Sequence, residues 1–163
     1  MKNLKRAGIL LLILVMVGGV FAGCASKPAE PTPTPEPAVG FTDGTYVAEA
    51  ADFDAQGWKD SATVTITGGK ISAVVLNGTN KDATLGDKLT AVKDGKYDMT
   101  AAGAIAPWDV QAKAIQDYIV TSQDTTSITF DDKGKSDAIS GATISYGHFF
   151  DLVNEALSQA KPQ

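Results

Sequence analysis

The sequence predicts an α+β domain, a mainly antiparallel sheet with two principal helices packed on it. Three observations lead there. The run Ser61 to Thr67 alternates strictly, Ala62, Val64 and Ile66 falling on one face and Thr63, Thr65 and Thr67 on the other, which is the period of a half-buried strand. Gly68-Gly69 follows at once and K-I-S-A-V-V-L-N returns with β-branched residues, the signature of a hairpin. Two apolar stripes at helical spacing come later: Trp108, Ala112, Ile115 and Ile119, then Phe149, Leu152, Val153, Ala156, Leu157 and Ala160. Strands gathered early and helices late favour helices on one side of an antiparallel sheet.

The chain opens M-K-N-L-K-R, continues through the apolar run Ile9 to Val17 and reaches F-A-G-C at Cys24. A basic start, an apolar stretch too short to span a bilayer comfortably and small residues beyond it describe an export signal over residues 1–23. Cys24 is the sole cysteine, so no intrachain disulfide forms. F-A-G-C resembles the bacterial lipobox, with Phe21 where Leu is usual, and implies diacylation of Cys24. The alternatives are a free thiol or an intermolecular disulfide. Two acyl chains anchor stably where one does not. Ala25 to Gly40 carries Pro28, Pro31, Pro33, Pro35 and Pro37; with nothing apolar to bury it is an extended spacer, reaching about 50 Å at roughly 3.1 Å per residue. Residues 24–40 thus form anchor and linker, and residues 41–163 one domain.

Within that domain, D-G-T-Y-V-A-E-A gives a turn and a first strand, and the hairpin follows. Residues 77–106 mix turn formers with isolated apolar residues, predicting an irregular excursion with a short helix. Pro107 is expected at the first helical position of the next stripe. S-I-T-F and S-D-A-I-S, on either side of D-D-K-G-K, predict two short strands around a turn. Ser145 is the expected N-cap of the final helix, whose free N–H groups and dipole would suit a phosphate.

Losing Lys2, Lys5 and Arg6 with the signal moves the formal charge from −5 to −8. That balance excludes nucleic acid as a partner and leaves the lipid anchor, not charge, to hold the protein at a membrane. One histidine and one cysteine give no ligand set for zinc or an iron–sulfur cluster. Ser140, His148 and Asp151 make a hydrolase triad only on paper, since no nucleophile elbow accompanies them. His148 reads as a surface or packing position on a first helical turn. Trp58, Trp108 and Tyr146 are candidates to stack on a ring, although the stripe of Trp108 favours core packing.

Residues 137–143 read D-A-I-S-G-A-T. Alone, Ser-Gly-Ala-Thr is also a turn capping a helix. The stretch resembles the flavinylation motif of the covalent FMN-binding domain family, found in exported bacterial flavoproteins and in flavin-carrying subunits of sodium-pumping NADH:quinone reductase and Rnf-type complexes. Asp137, Ser140, Gly141, Ala142 and Thr143 match every fixed position of that motif. D-G-T-Y at 43–46 and G-G-K-I at 68–71 resemble further family signatures, so the likeness covers about residues 43–160.

The resemblance implies FMN joined as a phosphoester to Thr143 by a flavin transferase that takes FAD and releases AMP. Gly141 and Ala142 would leave room beside the hydroxyl, and Asp137 would help the transferase recognise or orient the loop. The function so implied is an extracytoplasmic, lipid-anchored electron carrier between a membrane donor and an extracytoplasmic acceptor. A flavin-dependent reductase of a small acceptor and an unflavinylated exported binding module are the alternatives, which leaves open whether the protein is an enzyme.

Overall fold

The computed structural model describes residues 40–161. The export signal, Cys24 and nearly all of the proline-rich linker lie outside the described residues. Among those described, no helix is long and apolar enough to cross a membrane.

Strand β1 (Gly44–Glu49), β2 (Trp58–Thr67) and β3 (Lys70–Asn80) form one antiparallel sheet in the order β1-β2-β3. The β2–β3 turn needs its glycines: Gly68 and Gly69 have φ of 61° and 74°, the left-handed pair of a tight hairpin. Both of their N–H groups donate to the Asp43 carboxylate, at 3.0 and 2.9 Å. A bulge at Thr65/Ile66 lets one extra residue into β3, so Ile71, Val74 and Leu76 share the inner face. The inner row of β2 is Trp58, Asp60, Ala62, Val64 and Ile66, and its one charged member matters below.

Two helices cover this face. Helix α2 (Trp108–Ser122) lies on β3, and α3 (Gly147–Gln159) lies on β2 and β1. Ile115, Ile119 and Val153 are fully buried between them and the sheet, each contributing about 1.5–3 kcal/mol. Helix α2 ends at Gln123, which adopts φ 56° and uses its amide as a strand would: Oε1 accepts from Ile71 N–H at 2.9 Å and Nε2 donates to Ile71 C=O at 2.8 Å. At the opposite edge Gln159 Nε2 donates to the Val47 carbonyl at 2.9 Å.

The excursion after β3 holds the short helix α1 (Lys88–Lys93) and a 3₁₀ turn at Thr100–Ala102. Asp87 caps α1 by accepting from Thr90 N–H. Asn77 of β3 ties it down, donating to Asp87 at 3.0 Å and accepting from Leu89 N–H at 3.1 Å.

Three expectations are corrected. No strand forms at 127–130 or 136–140; the turns beside them are held by side chains, Asp124 accepting from Thr126 and Ser127 N–H and Asp131 from Lys133 and Lys135 N–H. The N-cap of α3 is Tyr146, not Ser145, and it makes no side-chain cap bond. Tyr146 and Gly147 N–H both donate to the Gly134 carbonyl, at 2.8 and 2.9 Å, so those two donors are not free for a phosphate. Pro107 stands one residue earlier than expected, as the N-cap of α2.

Candidate functional site

The segment from Asp137 to Ser145 is a connection folded between α2 and the start of α3. Its shape comes from a tight turn and two braces. Ala142 N–H donates to the Ile139 carbonyl at 3.2 Å, and Gly141 takes φ 86°, a left-handed conformation that disfavours a side chain. Ile139 and Ala142 are buried and pull the turn onto the core. The first brace is Tyr146, fully buried, whose hydroxyl donates to the Ser136 carbonyl at 2.9 Å.

The second brace is Gln111, on α2 and also fully buried. Its Oε1 accepts three hydrogen bonds: Thr143 N–H at 2.8 Å, Thr143 Oγ1–H at 3.1 Å and Ile144 N–H at 3.2 Å. Its Nε2 donates to the Ala106 carbonyl at 2.9 Å. One carboxamide therefore fixes the backbone and the hydroxyl of Thr143 together, while Thr143 itself stays exposed.

Thr143, Ile144 and Ser145 form one wall of an open cleft of about 490 Å³. Met99, Ala102, Gly103 and Ala104, from around the 3₁₀ turn, form the other, and Lys135 supplies a cation. Gly103 takes φ 87° with nothing within 4 Å of where a Cβ would stand. Met99, Ile144 and Ser145 also line an adjoining hollow of about 200 Å³, in company with Asp60, Lys88 and His148.

These three side chains form an ionic cluster. Lys88, 3 % exposed, donates through Nζ to Asp60 Oδ1 at 2.5 Å, and His148 Nε2 meets Asp60 Oδ2 at 2.8 Å. Four rings surround the ammonium: Trp108 and Trp58 with centroids at 5.0 and 5.2 Å, then Tyr97 at 5.9 Å and Phe149 at 6.0 Å, all within cation–π range. Burial opposes ionisation of Asp60, but the His148 hydrogen bond and the charge and hydrogen bond of Lys88 outweigh it and hold the carboxyl below its usual range.

The FMN-binding domain profile matches residues 57–158, more than half of the chain. The chain belongs to the FMN-binding domain family. A solution NMR structure of a Clostridium thermocellum protein is 48% identical, covers 72% of this chain and 91% of its own, and superposes with a TM-score of 0.58. A crystal structure of a Clostridium perfringens protein, 24% identical over 74% of this chain and 88% of its own, shares the fold with a TM-score of 0.57. No curated protein matches. The protein is thus a flavin-binding protein with FMN as its cofactor. The residues around Thr143 suit FMN: the cleft is within the usual size of cofactor sites, its mouth holds a hydroxyl and a lysine, and its walls mix backbone with apolar side chains.

Of the motif residues, Thr143 alone lines this cleft. Ala142 points into the core, and Gly141 and Ser140 are exposed. Asp137 lines a neighbouring hollow with Phe130, Asp131 and Ser136, joined to the Thr143 cleft through Lys135. Trp58, Trp108 and Tyr146 are core residues, 3 % exposed or less. His148 sits on the first turn of α3 as expected, yet it pairs with a buried carboxylate. Gln111, Lys135, Asp60 and Lys88 were not singled out from sequence. Gln111 and Asp60 left a signal: each is a polar residue at an inward position of an otherwise apolar stripe.

Proposed function

We propose that the protein is a lipid-anchored electron carrier facing outside the cytoplasm, with FMN esterified to Thr143. The observation that supports this best is the exposed Thr143 hydroxyl, held by a buried Gln111 at the mouth of the cleft. A threonine hydroxyl is a weak nucleophile that needs a partner base, and Gln111 accepts hydrogen bonds there but takes up no proton. The base accordingly belongs to a flavin transferase, and this chain's task is presentation.

In that transfer Thr143 Oγ1 forms a bond to the FMN-side phosphorus of FAD. The bond from that phosphorus to the bridging oxygen breaks, AMP leaves and the hydroxyl proton passes to the transferase. Lys135 lines the cleft where the phosphoester charge would lie. Gly141 keeps the approach open, with only the Ala114 Cβ at 4.0 Å from where its own Cβ would stand. Asp137 and Ser140, exposed beside it, are available to the transferase. Once bound, FMN supplies reversible electron transfer while the protein supplies position and electrostatics. Covalent attachment suits an exported protein, since even a nanomolar complex, about 12 kcal/mol, dissociates, and lost flavin is diluted outside the cell. Cys24 and the proline-rich arm would hold the domain near a membrane donor and let its open cleft meet an extracytoplasmic acceptor.

The test is intact mass after co-expression of residues 25–163 with an exported flavin transferase. The wild type is expected to gain one FMN less water and Thr143→Ala nothing. No gain by the wild type, with the transferase active on another acceptor, would overturn the attachment reading and leave the loop a connection braced by Gln111.

A further inference from the structure

Attachment at Thr143 leaves the Asp60–Lys88–His148 cluster without a task, although the two clefts share Met99, Ile144 and Ser145 as a common wall. The cluster is unequal in its exposure. The side chains of Lys88 and Asp60 are 4 % and 10 % exposed, whereas that of His148 is 46 % exposed. Asp60 is fully divided, Oδ1 to Lys88 and Oδ2 to His148. The imidazole is therefore held by Nε2 alone among the described residues, and Nδ1 is left to exchange protons.

The surroundings of His148 are charged from several directions. Asp60 approaches from β2, Lys88 from α1, Asp52 and Asp54 from the β1–β2 loop, and the Tyr97 hydroxyl from the segment after α1. Asp151 is the next acid along α3 itself. Burial, followed by the Asp60 and Asp54 carboxylates, holds the Tyr97 hydroxyl above its ordinary range, so it stays protonated, and the half-exposed imidazole of His148 is the group with access to solvent.

We propose that His148 exchanges the proton that accompanies reduction of the flavin, with Asp60 as the positioning residue that holds its imidazole and Lys88 as the fixed charge that keeps Asp60 ionised. This rests on the reading that FMN is carried on Thr143. With FMN carried on Thr143 and two electrons supplied by dithionite, which would leave oxidised as sulfite, His148 would give its Nδ1 proton to the ring and keep Nε2–H on Asp60 Oδ2. A proton from solvent would then restore Nδ1–H, so that the two electrons come from the reductant and the one proton, by way of His148, from solvent. On reoxidation both flows would reverse.

The experiment uses the full chain co-expressed with an exported flavin transferase and purified in detergent without a histidine tag, as wild type and His148→Gln. Intact mass comes first. The rate of reduction by dithionite is then measured from pH 5 to 8, with the midpoint potential at each pH. The wild-type rate is expected to fall as pH rises through the range in which the sole imidazole loses its proton, as followed by its proton NMR signal. The variant is expected to lack that step and to be reduced at least about tenfold more slowly, while its midpoint potential stays close to that of the wild type. Added imidazole should restore much of the rate, an effect that a purely structural role would not give. If neither chain gains FMN, the attachment reading fails and this role with it. If both gain FMN, yet their rates of reduction superimpose across the pH range and imidazole changes nothing, the proton role alone is wrong.

Discussion

Replacing Gln111 by leucine removes the brace beneath Thr143 while nearly preserving volume. Four polar atoms lose their partner: Thr143 N–H, its hydroxyl, Ile144 N–H and the Ala106 carbonyl. A buried unsatisfied group costs about 1–3 kcal/mol. Thr143 is exposed and Ile144 half-buried, so water reaches part of this set. The hydroxyl turns outward without loss, and the other three belong at the low end, for a total of about 2–4 kcal/mol. For a domain of this size each kcal/mol is about 4 °C in Tm, so a fall of about 8–16 °C is expected. Thermal unfolding by circular dichroism measures it, with Gln116→Leu, further along the same helix, as a control. The fraction of chain flavinylated at limiting transferase should fall in parallel, because the hydroxyl is no longer presented in one orientation. A Tm within 3 °C of wild type, with unchanged flavinylation, would refute the assignment of Gln111 as the brace.

Other outcomes follow from the same geometry. Lys88→Met leaves the Asp60 carboxylate buried with His148 alone, which should cost about 3–5 kcal/mol in urea unfolding at pH 7. In the wild type Asp60 titrates below its unfolded value of about 3.9, so its contribution is present above that pH and is lost as pH falls through the lower, folded value. Without Lys88 burial weighs more, and acid unfolding should begin at higher pH; an unmoved acid midpoint would contradict the pairing. Gly78→Ala sets a Cβ 2.6 Å from Asp60 Oδ1 and 3.0 Å from the Lys59 carbonyl, and should destabilise by about 1–3 kcal/mol through displacement of that carboxylate. Gln123→Gly relieves the left-handed strain but gives up both bonds to Ile71; amide exchange at Ile71 should accelerate even if Tm barely changes.

The hairpin was legible because its cause is local: a period of two from Ser61 to Thr67, then two glycines that the turn requires. Both principal helices were legible for the same reason. The stretch from Asp124 to Ser140 was not: Ile128 and Phe130 are β-prone, yet they lie between two turns that Asp124 and Asp131 hold from their side chains, and they form no strand. Thr143 was found by its motif, yet the motif does not say what holds it, because Gln111 lies 32 positions earlier. The ionic cluster is harder still. Asp60 reaches its partners across 28 and 88 positions, and no periodicity of a single element encodes such a meeting. What the sequence did show was Asp60 facing inward between Trp58 and Ala62, an inconsistency that only a buried partner resolves.

A three-stranded sheet has two outer strands, and each invites another chain to pair with it. Here each carries an amide from a helix end: Gln123 occupies both the donor and the acceptor of Ile71 on β3, and Gln159 takes the Val47 carbonyl on β1. The Thr79–Asp87 bridge covers β3 further along. An incoming strand would find the Ile71 and Val47 rungs already taken. Were copies held close together on a common surface, they would meet far more often than copies free in solution, and at these positions an amide would stand where a neighbour's strand would otherwise pair.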